Sequence, residues 1–177
     1  MNNQSMKRIP ALVPLSRDHG LGLVCAQYGR KAIRAPGADR LQLTEHMRKM
    51  CRDVIAPCLE DEQWMLSPVI GDEALRTEFH QRHRSIKALT LELCAVEEGQ
   101  DPGVGLVARV ANALDDYVRW EQNTLYPRIE CGSESEQLGQ IAKLSEEMET
   151  RRNRSTQLLH SSILLRQPSG MKADRLS

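Results

Sequence analysis

The sequence predicts an all-α protein, an up-down-up-down four-helix bundle with an additional C-terminal helix. Three observations predict it. Leucine is the commonest residue, 7 methionines are present and aromatics are only 3%, a mix that suits helix interiors better than pleated sheets. Apolar residues recur at three- and four-residue spacing through long segments. Prolines and glycines cluster between those segments, and short connections between long helices force antiparallel neighbours. At 177 residues the chain is sized for a single domain that buries a core without disulfides or structural metal.

The elements follow in order. Lys7 and Arg8 precede an apolar run from Ile9 to Leu15. Pro10 and Pro14 break that run, and Arg17, Asp18 and His19 end it too early for a secretory signal, so a cytoplasmic protein is expected. The first helix is expected from Ser16 to Arg34, stopped by Ala35, Pro36 and Gly37. Asp39, with Gln42 three residues on, forms a capping box that opens the second helix, which runs to Leu66 before Ser67, Pro68 and Gly71. Pro57 should kink it. The third helix runs from Asp72 to Glu98, and the fourth from Val104 to Tyr126, where Pro127 stops it. These four helices make a bundle over about residues 12–130.

Ser133 and Glu136 form another capping box, opening a fifth helix that runs to Leu165 and is expected to pack alongside the bundle. Its apolar residues are Leu138, Ile141, Leu144, Met148, Leu158, Leu159 and Ile163, and the charged stretch from Glu149 to Arg154 interrupts them. That interruption points to exposure or to a partner, a homo-oligomer joined through this helix being one form. Residues 167–177 have no periodicity and read as a loose tail.

Composition excludes several classes of function. The 24 Lys+Arg balance the 24 Asp+Glu, so no net field exists to hold nucleic acid or an anionic membrane surface. Apolar stretches fall well short of the roughly 20 residues of a membrane span. The five cysteines, Cys25, Cys51, Cys58, Cys94 and Cys131, are odd in number and contain no CxxC pair, which argues for reduced thiols rather than a disulfide framework or zinc knuckle. The glycines from Gly99 to Gly105 follow a helix rather than a strand, so they read as a loop and not a phosphate cradle.

Winding each helix at about 100° per residue exposes an anomaly. The second helix buries Cys51, Ile55, Cys58, Leu59, Glu62 and Leu66, and the fourth buries Val107, Val110, Leu114, Tyr117, Glu121 and Leu125. Each therefore aims a carboxylate inward, where an ionised group must be protonated, paired or bound to metal. The first and third helices aim His19 and His83 inward. Each half of the chain thus carries a histidine, a carboxylate and, six residues after the carboxylate, a proline: His19, Glu62, Pro68, then His83, Glu121, Pro127. Neutral imidazole and carboxylate converging in a bundle core suit iron, manganese or zinc. His80, His46 and His160 lie off these stripes. Gly20 and Gly22 flank His19, consistent with close helix approach or with open space for a small ligand.

The segments Leu15-Ser16-Arg17-Asp18-His19, Pro57-Cys58-Leu59-Glu60-Asp61-Glu62 and Tyr117-Val118-Arg119-Trp120-Glu121, with the following Leu125-Tyr126-Pro127 and Glu130, resemble the hemerythrin-like (HHE cation-binding) family. The resemblance implies a helical bundle around a non-haem di-iron centre that binds oxygen or nitric oxide or handles iron. It further implies metal ligands at His19, Glu62, His83 and Glu121. Cys58 and Tyr117 stand where the family has histidine, and Gln63 and Gln122 where a second glutamate is common. Thiolate and phenolate can bind ferric iron, so three outcomes stay open: Cys58 and Tyr117 replace the imidazoles, the surviving residues hold one ion, or a metal-free helical interaction protein keeps the fold alone. An oxidase-type enzyme has only open coordination positions in its favour.

Overall fold

The structure, a computed structural model, describes residues 12–132, 136–148 and 150. The expected tail at 167–177, the fifth helix beyond 150 with His160, and Lys7 to Pro10 lie outside the described residues. The described part is all-helical, with no strand. No helix in it is long and apolar enough to cross a membrane.

Helix α1 spans Val13–Arg34 with Pro14 in its first turn, where a missing N–H costs nothing. Lys31 and Arg34 sit in its last turn, favourable for the helix dipole. Helix α2 spans Gly37–Met50 with Pro36 as its N-cap, so Asp39 is in the first turn rather than at the cap. Proline at 36 already turns the chain out of α1, and the helix begins as soon as it can. A π-helical turn, Cys51–Ile55, joins α2 to α3, Ala56–Leu66. Helix α4 spans Glu73–Cys94, and the Asp72 carboxylate accepts the Leu75 N–H at 3.0 Å as its N-cap.

α4 ends four residues before the expected Glu98. The reason is Arg48, only 4% exposed, whose guanidinium donates to the carbonyls of Glu97 (3.0 Å) and Gln100 (3.3 Å) and pairs with Glu45. Those carbonyls are bound from α2 and not by a helix. Gly99 and Gly103 take φ of +84° and +81° in this loop, a conformation that favours glycine.

Helix α5 spans Val104–Trp120, and a second π-helical turn, Glu121–Leu125, carries the chain into α6, Tyr126–Gly132. Pro127 therefore does not stop the helix. Both π turns end two residues before a proline, Pro57 and Pro127. A proline inside an α-helix removes one hydrogen bond and clashes with the carbonyl four residues back. In each π turn the bond reaches one residue further, from Ala56 N–H to Cys51 O and from Tyr126 N–H to Glu121 O, so the ring is accommodated without ending the helix. The kink expected at Pro57 takes this form.

A last helix, α7, covers residues 136–148. α1 packs against α2 and α5, and α4 packs against α3 and α5. The inward stripes are buried as wound, including Phe79, His83, Ile86, Thr90 and Leu93 on α4, with Cys58 only half-buried. Ile141 and Met148 of α7 join the same apolar core as Leu59, Met65 and Leu114.

Candidate metal centre

Four buried polar side chains come from four helical segments: His19 from α1, Glu62 from α3, His83 from α4 and Glu121 at the first position of the second π turn. One ligand atom each from His19, Glu62 and Glu121 lies within 4.8 Å of the others. His19 Nε2 is 2.8 Å from Glu121 Oε2, and its Nδ1 is 3.3 Å from the Gln122 amide nitrogen. A cavity of about 40 Å³ adjoins these groups, lined also by Cys58, Tyr117 and the apolar side chains of Leu15, Ile55, Leu59, Leu114 and Val118.

His83 is set apart from this trio by Tyr117. The Tyr117 hydroxyl donates to Glu62 Oε2 at 3.0 Å and is 2.5 Å from His83 Nε2. The phenol has one proton and gives it to the carboxylate, so His83 Nε2–H donates to the phenol oxygen, leaving a relay from His83 through Tyr117 to Glu62. His83 Nε2 itself is 3.5 Å from Glu62 Oε2. The Phe79 ring, tilted to the imidazole, and the Tyr117 ring, nearly at a right angle to it, hold it at centroid distances of 4.3 and 5.3 Å. Cys58 lies at the cavity wall, outside the cluster of three ligand groups.

The second Glu62 oxygen accepts the Tyr126 hydroxyl at 3.1 Å, and the Tyr126 ring stacks on His19 at 5.1 Å. Winding an unbroken α-helix misses Tyr126, because nine residues after Tyr117 it would point about 180° away. The extra residue of the π turn takes up about 100° of that rotation and brings the side chain inward. Proline at 127 was the available signal. Gln122, bonded to His19, was visible in the sequence as the residue standing where the resembled family commonly has a second glutamate.

Electrostatics divide the groups. Burial pushes the Glu62 carboxyl up, but hydrogen bonding with His83 and Glu121 and the fields of His83 and His19 outweigh it and lower the pKa to about 2. Glu62 is thus a carboxylate. Tyr117 is raised well above its usual value, first by burial and then by the charges of Glu121 and Glu62, so it stays a phenol in this setting. Two carboxyl groups and one imidazole around a small cavity form a hard, oxygen-rich donor set that fits a divalent first-row cation.

The other two described histidines have separate occupations. His80 Nε2 is 3.0 Å from Ser67 Oγ, and His46 is exposed, bonded to the Gln42 carbonyl and stacked on Tyr28. Gly22 marks a close approach, since a Cβ there would meet Val118 at 3.2 Å, whereas Gly20 faces open space. Comparison with protein-family models, with curated proteins and with solved structures finds no match for the chain.

Proposed function

We propose that the chain is a hemerythrin-like metal-binding protein, an up-down bundle of four helical rods (α1, α2–α3, α4 and α5–α6) whose interior holds a single divalent cation between His19, Glu62 and Glu121. The single observation that carries this reading is the convergence of those three donors within 4.8 Å beside a cavity of about 40 Å³. A cation there balances two buried carboxylates that otherwise share only imidazoles and phenols. Iron is the first candidate, since mixed imidazole and carboxylate donors suit iron, manganese and zinc alike and the sequence resembles an iron-binding family. When bound, ferrous iron supplies an open position for a diatomic gas, oxygen or nitric oxide, and the cavity has room for one such molecule beside it. His19 is oriented by Tyr126 and Gln122, and Tyr117 keeps Glu62 Oε2 fixed.

A second reading is favoured by a specific observation: the carboxylate of Glu62 accepts from two tyrosines and Glu121 pairs with His19. Such a network gives both Glu62 oxygens and one Glu121 oxygen protein partners without an ion, and suits a metal-free helical interaction protein. Anaerobic loading with ferrous iron, followed by desalting and metal analysis, separates the two. One ion per chain, lost in Glu121→Gln, is the expected result; no retained iron, manganese or zinc overturns the metal reading and leaves the second.

A further inference from the structure

Two thiols meet in the core, and neither lines the central cavity. Cys25 comes from the middle of α1 and Cys51 from the first position of the first π turn, which packs against α1. Both side chains are fully buried and reduced, with their sulfurs 3.7 Å apart. Cys25 also donates to the Met47 carbonyl at 3.8 Å, and because a thiol has one proton, Cys51 is the donor between the two sulfurs. Bonded sulfurs lie about 2.05 Å apart. Only a small adjustment of two side chains on touching segments separates this contact from a bond.

We propose that Cys25 and Cys51 are an oxidisable dithiol that closes to a reversible disulfide between α1 and the π turn, with hydrogen peroxide as the co-reactant. The site is independent of the metal reading. The Cys25 thiolate, with the Cys51 S–H donating to it, attacks one peroxide oxygen: an S–O bond forms, the O–O bond breaks, and the departing hydroxide takes up the proton that Cys25 released, leaving as water. The Cys51 sulfur then attacks the sulfenic sulfur of Cys25. An S–S bond forms, the S–O bond breaks, and the hydroxyl leaves with the Cys51 proton as a second water. The two thiols give up two electrons and the peroxide takes them.

The order of attack follows from the contact. Hydrogen bonding with Cys25 and then burial push the Cys51 thiol well above its ordinary value, so Cys51 keeps its proton while Cys25 reacts. The choice of co-reactant follows from burial, since hydrogen peroxide is little larger than water and a bulky disulfide cannot reach sulfurs closed to solvent. Once formed, the bond joins the helix that carries His19 to the rod that carries Glu62 and closes the loop from 25 to 51. That loop restricts the unfolded chain and stabilises the folded one.

The test treats the native full chain with hydrogen peroxide in the presence of a chelator, so that bound metal takes no part, then alkylates the remaining thiols in denaturant and maps peptides without reduction. The expected product is a crosslink between the Cys25 and Cys51 peptides, reversed by dithiothreitol, in a chain that melts several degrees above its reduced form. Cys51→Ala is expected to stop at a sulfenic acid on Cys25, trapped by dimedone, and Cys25→Ala to leave Cys51 as a thiol. Alanine keeps both positions small and apolar, and circular dichroism checks that the variants fold. If Cys25 and Cys51 both remain alkylatable while the exposed Cys131 is oxidised, the pair is plain core packing and the proposal falls. A crosslink from Cys51 to the half-buried Cys94 instead, or one that forms only in denaturant, overturns it equally. A sulfenic acid on Cys51 in Cys25→Ala overturns the order of attack.

Discussion

Burial works against an ionised Glu62, but hydrogen bonding with His83 and Glu121 and the fields of His83 and His19 outweigh it, and its two oxygens also accept from Tyr117 and Tyr126. Its carboxyl titrates near 2 in the folded chain against an ordinary 4.5. On acidification the unfolded chain takes up this proton first, so the stability contributed by Glu62 is complete above 4.5 and drains as pH falls from 4.5 toward 2. Denaturant midpoints measured between about pH 6 and about pH 3 should fall less steeply in Glu62→Gln than in the wild type; equal slopes would show that the folded chain does not hold this carboxylate ionised. Tyr126→Phe removes one donor from a buried charge and should cost about 1–3 kcal/mol, less when combined with Glu62→Gln, in a urea double-mutant cycle. At this scale the sequence made Glu62, Glu121, His19 and His83 legible, because a polar residue on an apolar stripe stands out in simple winding. It did not show that Tyr117 bonds both Glu62 and His83, with His83 outside the cluster of three donor atoms. A tyrosine on a buried stripe looks like ordinary core until its hydroxyl's partners are known.

The elements turn on two prolines and one glycine. A π turn carries one residue more than the α-helix it interrupts, so deleting exposed Asn123 should return Glu121–Leu125 to α-helical winding while leaving later side chains on their faces. With Pro127 in place the ring then meets a carbonyl four residues back, and the deletion should cost about 3 kcal/mol or more. Adding Pro127→Ala should remove most of that cost. Thermal and urea unfolding of the two deletion variants read the difference, and equal destabilisation of both would refute the role given to the proline. Helix existence was legible from periodicity, but continuation through Pro127 was not, since a proline ordinarily marks an end and only tertiary burial of Tyr126 and Ile129 rewards continuing. Gly29 is a parallel case. A Cβ there would lie 2.8 Å from Ala111 Cβ and 3.0 Å from Met47 Sδ, where three helical segments converge. Gly29→Ala should lose about 1–3 kcal/mol to overpacking, whereas Gly20→Ala, in open space, should gain up to about 1 kcal/mol from helix propensity. The glycines beside His19 drew notice by their neighbour, while Gly29 sits amid Tyr28 and Arg30 with no pattern to mark it.

For the molecule as a whole, the all-helical class followed from period and punctuation, and the capping box at Ser133 and Glu136 placed a helix where α7 is found over 136–148. That helix was expected to pack alongside the bundle, but where it would pack was not legible, because its apolar positions are sparse and its surroundings come from distant sequence. In the structure Ile141 is fully buried, Met148 is 2% exposed, and the Ser145 hydroxyl lies 3.8 Å from Met65 Sδ. α7 therefore shares the core that holds α3 and α5, not a satellite of its own. A helix so placed unfolds with the rest, since removing it strips cover from Met65 and its neighbours, and its own buried apolar side chains, Ile141 and Met148, cannot sustain it alone. Ile141→Ala should accordingly lower the midpoint of a single cooperative transition by an amount that matches about 2–5 kcal/mol, like truncations elsewhere in the core. The same loss should be read by helical circular dichroism and by the near-ultraviolet signal of Tyr117 and Trp120, which lie far from α7 in sequence. An early loss of helix signal with the aromatic signal intact would mean that α7 detaches on its own and that the core containing the His19, Glu62 and Glu121 cluster closes without it.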